Sequence, residues 1–93
     1  MSELQSVHNY YERPVFNHIQ EHYLAVGLTE NQLADMACIA LNRIAPRYIR
    51  HDIDMSFYMS AEEYQEIQIR VTKAVKKAYK KVKKLDSLKE EQE

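Results

Sequence analysis

From Ala61 to Leu85 the chain carries Tyr64, Ile67, Val71, Ala74, Ala78, Val82 and Leu85, apolar positions spaced three or four residues apart. Only a helix returns side chains to one side at that period, so the segment dictates one long amphipathic helix with a seam to bury. Ser60-Ala61-Glu62-Glu63 starts it as a capping box, in which the Ser60 hydroxyl meets a free N–H of the first turn. Glu62, Glu63 and Glu66 near its beginning, and Lys76, Lys77, Lys80, Lys81, Lys83 and Lys84 toward its end, suit the helix dipole at both termini. The seam is long enough to pack against a partner helix as well as the chain's own core.

The rest of the chain reads as helices with short connections, because only one Gly and two Pro interrupt 93 residues. Leu4, Val7, Tyr11, Val15, Ile19, His22 and Val26 form one helical stripe. Pro14 falls inside it and lacks the N–H that would meet the Tyr10 carbonyl, which predicts a kink or a fresh helix start. Gly27 is expected to end this segment in a left-handed conformation. Thr29-Glu30-Asn31-Gln32 predicts a second capped start. The helix after it carries Leu33, Met36, Ala37, Ala40, Leu41 and Ile44 on one face and is the least charged segment, so it is expected to be the most buried. Pro46 pushes Ala45 out of the helical region and closes it. Residues 47–59 show no helical period and are assigned no sheet. The expected architecture is all-α: a compact bundle of three to five helices with one long C-terminal helix. A single domain spans residues 1–86, and residues 87–93 form a frayed polar tail.

A chain this short holds one core and buries only about 60–65% of its unfolded surface. Yet 45% of its residues are hydrophobic and seven are Tyr, an apolar excess that points to a homodimer. The net charge of −1 argues against the whole molecule being a polyanion binder. Cys38 is the one cysteine, which excludes an intrachain disulfide and a thiolate-only metal cage. A free thiol, a polar N-terminal stretch and no apolar run of membrane-spanning length lead to the expectation of a cytoplasmic protein without membrane attachment.

His18 and His22 stand four apart, the spacing that puts two imidazoles on one helical face. A metal would need further ligands from His51, Asp52 or Asp54 through tertiary contact, and no metal is assigned; His18 is read as solvated and His22 as packing at the edge of the stripe. Cys38 lies inside an apolar helix and is read as a buried structural residue. No nucleophile, base and anion hole occur together, so no enzyme is expected. The lysines from Lys76 to Lys84 read as a solvated face; with only Tyr79 among them, nucleic acid is not an expected partner.

The cationic, aromatic corner ALNRIAPRYIR, residues 40–50, leaves two readings open. Arg43, Arg47 and Arg50 can grip a phosphate or a guanine edge through paired N–H groups, and the Tyr48 ring can stack on a base. The same residues also suit a solvated helix exit with Tyr48 and Ile49 packed inward. If residues 47–50 are extended, Tyr48 and Arg50 share one face and Arg47 joins Ile49 on the other.

The stretch from Asp35 to Tyr48, DMACIALNRIAPRY, resembles the signature of the late competence development ComFB family, with an acidic residue opening an apolar helix that ends in Leu-Asn-Arg before a Pro and a Tyr. Asn9, Glu12 and Val15 match a weaker pattern in that family's first helix, and the similarity covers roughly residues 7–82. The resemblance implies a small all-helical dimer linked to bacterial competence and motility, some of whose relatives are similar to receptors for cyclic di-GMP. It implies ligand roles for Arg43 and Tyr48, with Asn42 as a positioning group; Arg47 and Arg50 join them on chemical grounds. Some relatives carry a zinc-binding cysteine cluster just before the acidic residue. Residues 26–34 here have none, so no zinc is expected. The expected function is a regulatory receptor module for a cyclic dinucleotide, cyclic di-GMP, acting with an unidentified regulatory protein; the alternative is a ligand-free protein-interaction adaptor.

Overall fold

The computed structural model describes residues 2–51, 55 and 59–92. Among these the chain forms four helices, α1 (Ser2–Gln5), α2 (Glu12–His22), α3 (Glu30–Arg43) and α4 (Ala61–Gln92), with two short strands, β1 (His8–Asn9) and β2 (Tyr48–Ile49). The all-α expectation holds, with one long C-terminal helix and a minimal sheet beside it.

The seam on α4 supplies Ile67, Val71, Ala74, Val75, Ala78 and Val82 to the core. They span about 100° of the helix at 3.6 residues per turn, the width of one buried face. Val15 and Ile19 come from α2; Met36, Ala37 and Ala40 come from α3, with Ile44 just past its end. Val15, Met36, Val71 and Val75 are fully enclosed, and burying each such side chain is worth about 1.5–3 kcal/mol. Helix α3 is the principal neighbour of α4, and α2 lies against both. Ala37, Ala40, Ala74 and Ala78 are all buried, small side chains that let packed helices come close. Tyr64 and Leu85, at the two ends of the seam, are exposed. At 1.5 Å per residue α4 is about 48 Å long and α3 about 21 Å, so α3 cannot cover both ends.

The helix starts follow the capping signals. The Thr29 hydroxyl accepts the Gln32 N–H at 3.1 Å, and the Gln32 side chain accepts the Thr29 N–H at 2.8 Å. Ser60 Oγ accepts the Glu63 N–H at 3.1 Å at the start of α4. Helix α3 ends at Arg43, with Ile44 extended ahead of Pro46.

Three expectations are corrected. The stripe from Leu4 to Val26 is not one helix: β1 and a turn break it, α2 starts afresh at Glu12, and Leu4 is 74% exposed. Pro14 thus sits in the first turn of α2, where a missing N–H costs nothing. Gly27 does take a left-handed φ of +88°, but in the loop beyond α2, which ends at His22. Residues 48–49, read as sheet-free, form a strand paired antiparallel to β1, His8 opposite Ile49 and Asn9 opposite Tyr48.

Asn9 causes both the break and the pairing. Its carboxamide oxygen accepts the N–H of Tyr11 at 3.3 Å and the N–H of Arg47 at 3.0 Å, while its own N–H donates to the Glu12 carboxylate at 3.3 Å. The Tyr10 N–H donates to the Arg47 carbonyl at 2.7 Å. Asn9 is 8% exposed, so its side chain serves backbone groups that water reaches poorly. Replacing it with Ala strands two donors, and Asn9→Ala should lose about 1–3 kcal/mol of unfolding free energy. Asn9→Asp, which keeps the acceptor, should lose less. Urea melts of the three proteins measure the difference.

Candidate functional site

The region after α3 is built on that clamp. Pro46 restricts the backbone, Arg47 is tied to residues 9 and 10 through its N–H and carbonyl, and β2 holds Tyr48 and Ile49 extended. A strand alternates its side chains, and Arg47 and Ile49 accordingly line the same cavity, with Arg50, His51, Met55, Met59 and Glu63. Its volume is about 340 Å³. Tyr48 projects outward with 67% of its surface exposed. The inward-packed alternative for this ring is therefore excluded, and Tyr48 offers a bare face for stacking.

The five residues singled out from the sequence are not gathered in one place. Arg50 forms an ion pair with Glu3 and donates from Nε to Ser6 Oγ at 3.4 Å, which ties it to α1 and the turn after it. Asn42 donates from Nδ2 to the Cys38 carbonyl at 2.9 Å, satisfying an acceptor near the end of α3. Arg43 faces the other way, into a groove between the end of α3 and the middle of α4. That groove, of about 470 Å³, is lined by Arg43, Ile44, Ala45, Arg70, Lys73, Ala74 and Lys77.

Arg70 and Lys73 were not singled out by the sequence reading, and Lys77 was read only as part of a solvated lysine face. Their signal was present: positions 70, 73 and 77 recur at helical spacing on one face of α4. Nothing in the local pattern said that Arg43 lies opposite. Arg70 is held from both sides. Its Nη1 donates to the Tyr11 hydroxyl at 3.2 Å, and its Nη2 lies 3.8 Å from Glu66. The bond to Tyr11, foremost, raises the guanidinium's pKa above its ordinary value, with a smaller push from Glu66. Arg43, Lys73 and Lys77 make no ion pair among the described residues. Four cations around an apolar floor can hold an anion.

Two other readings are corrected here. Cys38, expected inside the core, is exposed, because it lies on the outer face of α3 away from Met36, Ala37 and Ala40. The histidine pair is also reversed: His18 is half-buried and His22 is the exposed member. Their rings lie 4.5 Å apart, and His18 continues through Tyr23 at 6.2 Å to Tyr79, 5.1 Å further on. Among the described residues no group of three or more His, Cys, Asp or Glu side chains is placed to hold a metal ion; Asp52 and Asp54 lie outside them.

The fold and these two openings define a small, mostly helical module with a pinned aromatic corner and a cationic groove. The chain matches the family described as late competence development protein ComFB over residues 8–85, and it belongs to that family. Membership connects it to a role in competence. No curated protein and no solved structure matches the chain. Among the described residues no helix is long and apolar enough to cross a membrane.

Burial first, and then the neighbouring His22, hold the His18 pKa below 6.5, against a smaller pull upward from Glu21. A histidine whose folded pKa lies below its unfolded one binds its proton more readily in the unfolded chain. Its contribution to stability is therefore full above 6.5 and lost as pH falls through the folded value. Denaturant midpoints measured from neutral to mildly acid pH should fall, and His18→Gln should flatten that slope.

Proposed function

We propose that the chain is a non-catalytic receptor module for a cyclic dinucleotide, cyclic di-GMP, acting in competence or motility control as a homodimer that passes the signal to a regulatory protein. The observation that carries this reading is Tyr48, a residue two-thirds exposed on a strand whose backbone is tied by Asn9 and restricted by Pro46. An exposed aromatic face on a positioned backbone can stack on a guanine, with backbone ordering already met. Arg47, adjacent in sequence and without an ion pair among the described residues, supplies a guanidinium for the O6/N7 edge of the base. The family resemblance of the Asn42, Arg43, Pro46 and Tyr48 motif supports the same ligand.

A protein-interaction adaptor is the second reading. Leu24, Tyr64 and Ile69 are large apolar side chains left exposed, surface of the kind that protein contacts cover. Under that reading the corner only braces the fold. Isothermal titration separates the two. Cyclic di-GMP should release heat with the wild type, and Tyr48→Ala should weaken binding by about 1–3 kcal/mol, the usual worth of one base–aromatic stack. Arg47→Ala should weaken it as well. Absence of heat at tens of micromolar ligand, from a protein that remains folded by circular dichroism, would remove the receptor reading and leave the adaptor.

A further inference from the structure

We infer that the groove between α3 and α4 is a phosphoryl-binding site in which Arg43, Arg70, Lys73 and Lys77 hold the phosphates of the ligand. The inference takes the ligand's identity from the receptor reading; the anion chemistry stands on the groove alone.

Arg50 is engaged by Glu3 and Ser6, and the cavity that holds Arg47 also contains the Glu63 carboxylate. An incoming phosphate there meets a like charge. The groove has the opposite balance. Four cations line it and no carboxylate does, and only Arg70 has an acidic partner among the described residues. Glu66 and the Tyr11 hydroxyl orient the Arg70 guanidinium without neutralising the other three charges. Holding four like charges around one concavity is unfavourable to the empty protein, so an anion entering gains that repulsion back.

Shape and chemistry agree. Arg43 and Arg70 come from different helices and can each offer paired N–H donors, the geometry that matches two oxygens of one phosphoryl group. Lys73 and Lys77 are one helical turn apart on α4 and act as mobile point charges beside them. Ile44 and Ala74 are buried at the base, so the four exposed charges rim an apolar floor. A space of about 470 Å³ falls within the range of small-molecule sites, about 300–1,000 Å³. An anionic membrane is the poorer occupant. Binding to a lipid surface needs an apolar helix face to insert, and the apolar face of α4 is spent on the core.

Isothermal titration with two probes, cyclic di-GMP and inorganic pyrophosphate, tests the assignment. Wild type should bind both, more weakly as salt is raised. Arg43→Ala, Lys73→Ala and Lys77→Ala should each weaken both probes about tenfold or more, the worth of one charged hydrogen bond. Lys77→Arg should retain binding, and Lys83→Ala, outside the groove, should leave it unchanged. Tyr48→Ala should weaken the dinucleotide and spare pyrophosphate. If the dinucleotide binds but the groove variants do not alter its affinity, the receptor reading stands and this inference falls. If pyrophosphate alone binds, and depends on Arg43, the groove is an anion site and the receptor reading falls. If neither probe binds, or Arg43→Ala lowers only the melting temperature, the groove is not a binding site and its cations serve the helix ends.

Discussion

The carboxamide of Asn9 decides how this small molecule is put together. One oxygen accepts backbone N–H groups from Tyr11, two residues on, and from Arg47, 38 positions further along the chain than Asn9. The first bond turns the backbone so that α2 can start; the second draws the segment after α3 alongside β1. Glu12 completes the arrangement by accepting the Asn9 N–H. A two-residue ribbon has almost no stability of its own, since isolated hairpins are marginal even with more pairs. The ribbon persists because its polar groups are satisfied at the edge of a helical core. Everything on residues 47–50 inherits its position from that edge.

Helix α4 serves two purposes with two adjoining faces. One face carries the branched and small apolar residues that α2 and α3 cover, and burial there is the principal source of stability. Beside it runs the basic row that begins at Arg70. The two are coupled at a single point: Tyr11, 3% exposed against the core, presents its hydroxyl to Arg70. The residue that heads α2 thus also orients a cation of the groove. Core packing and charge placement are linked through one phenol.

The family's central motif is divided by the fold among distinct tasks. Asn42 turns back to its own helix, Arg43 faces α4, Pro46 and Arg47 shape the turn, and Tyr48 stands clear of the surface. The exposed ring and the cationic groove thus lie at different places around the residues that end α3.

Local pattern determined the long helix, its seam, both capped starts and the closing of α3 at Pro46, because each depends on neighbours within four residues. The family resemblance, not local pattern, marked Asn9 and Glu12, and as part of a helix that they in fact delimit. Pairing of His8 with Ile49, the outward turn of Cys38 and the meeting of Arg43 with Arg70, Lys73 and Lys77 belong to tertiary structure alone. Cys38 shows why: at one residue off the buried face, helical periodicity rather than the apolarity of its neighbours decides exposure. The groove shows the same on a larger scale. Charges 27 positions or more apart in the chain come together only once two apolar faces have sealed against each other, and no spacing within either helix records which face its neighbour will choose.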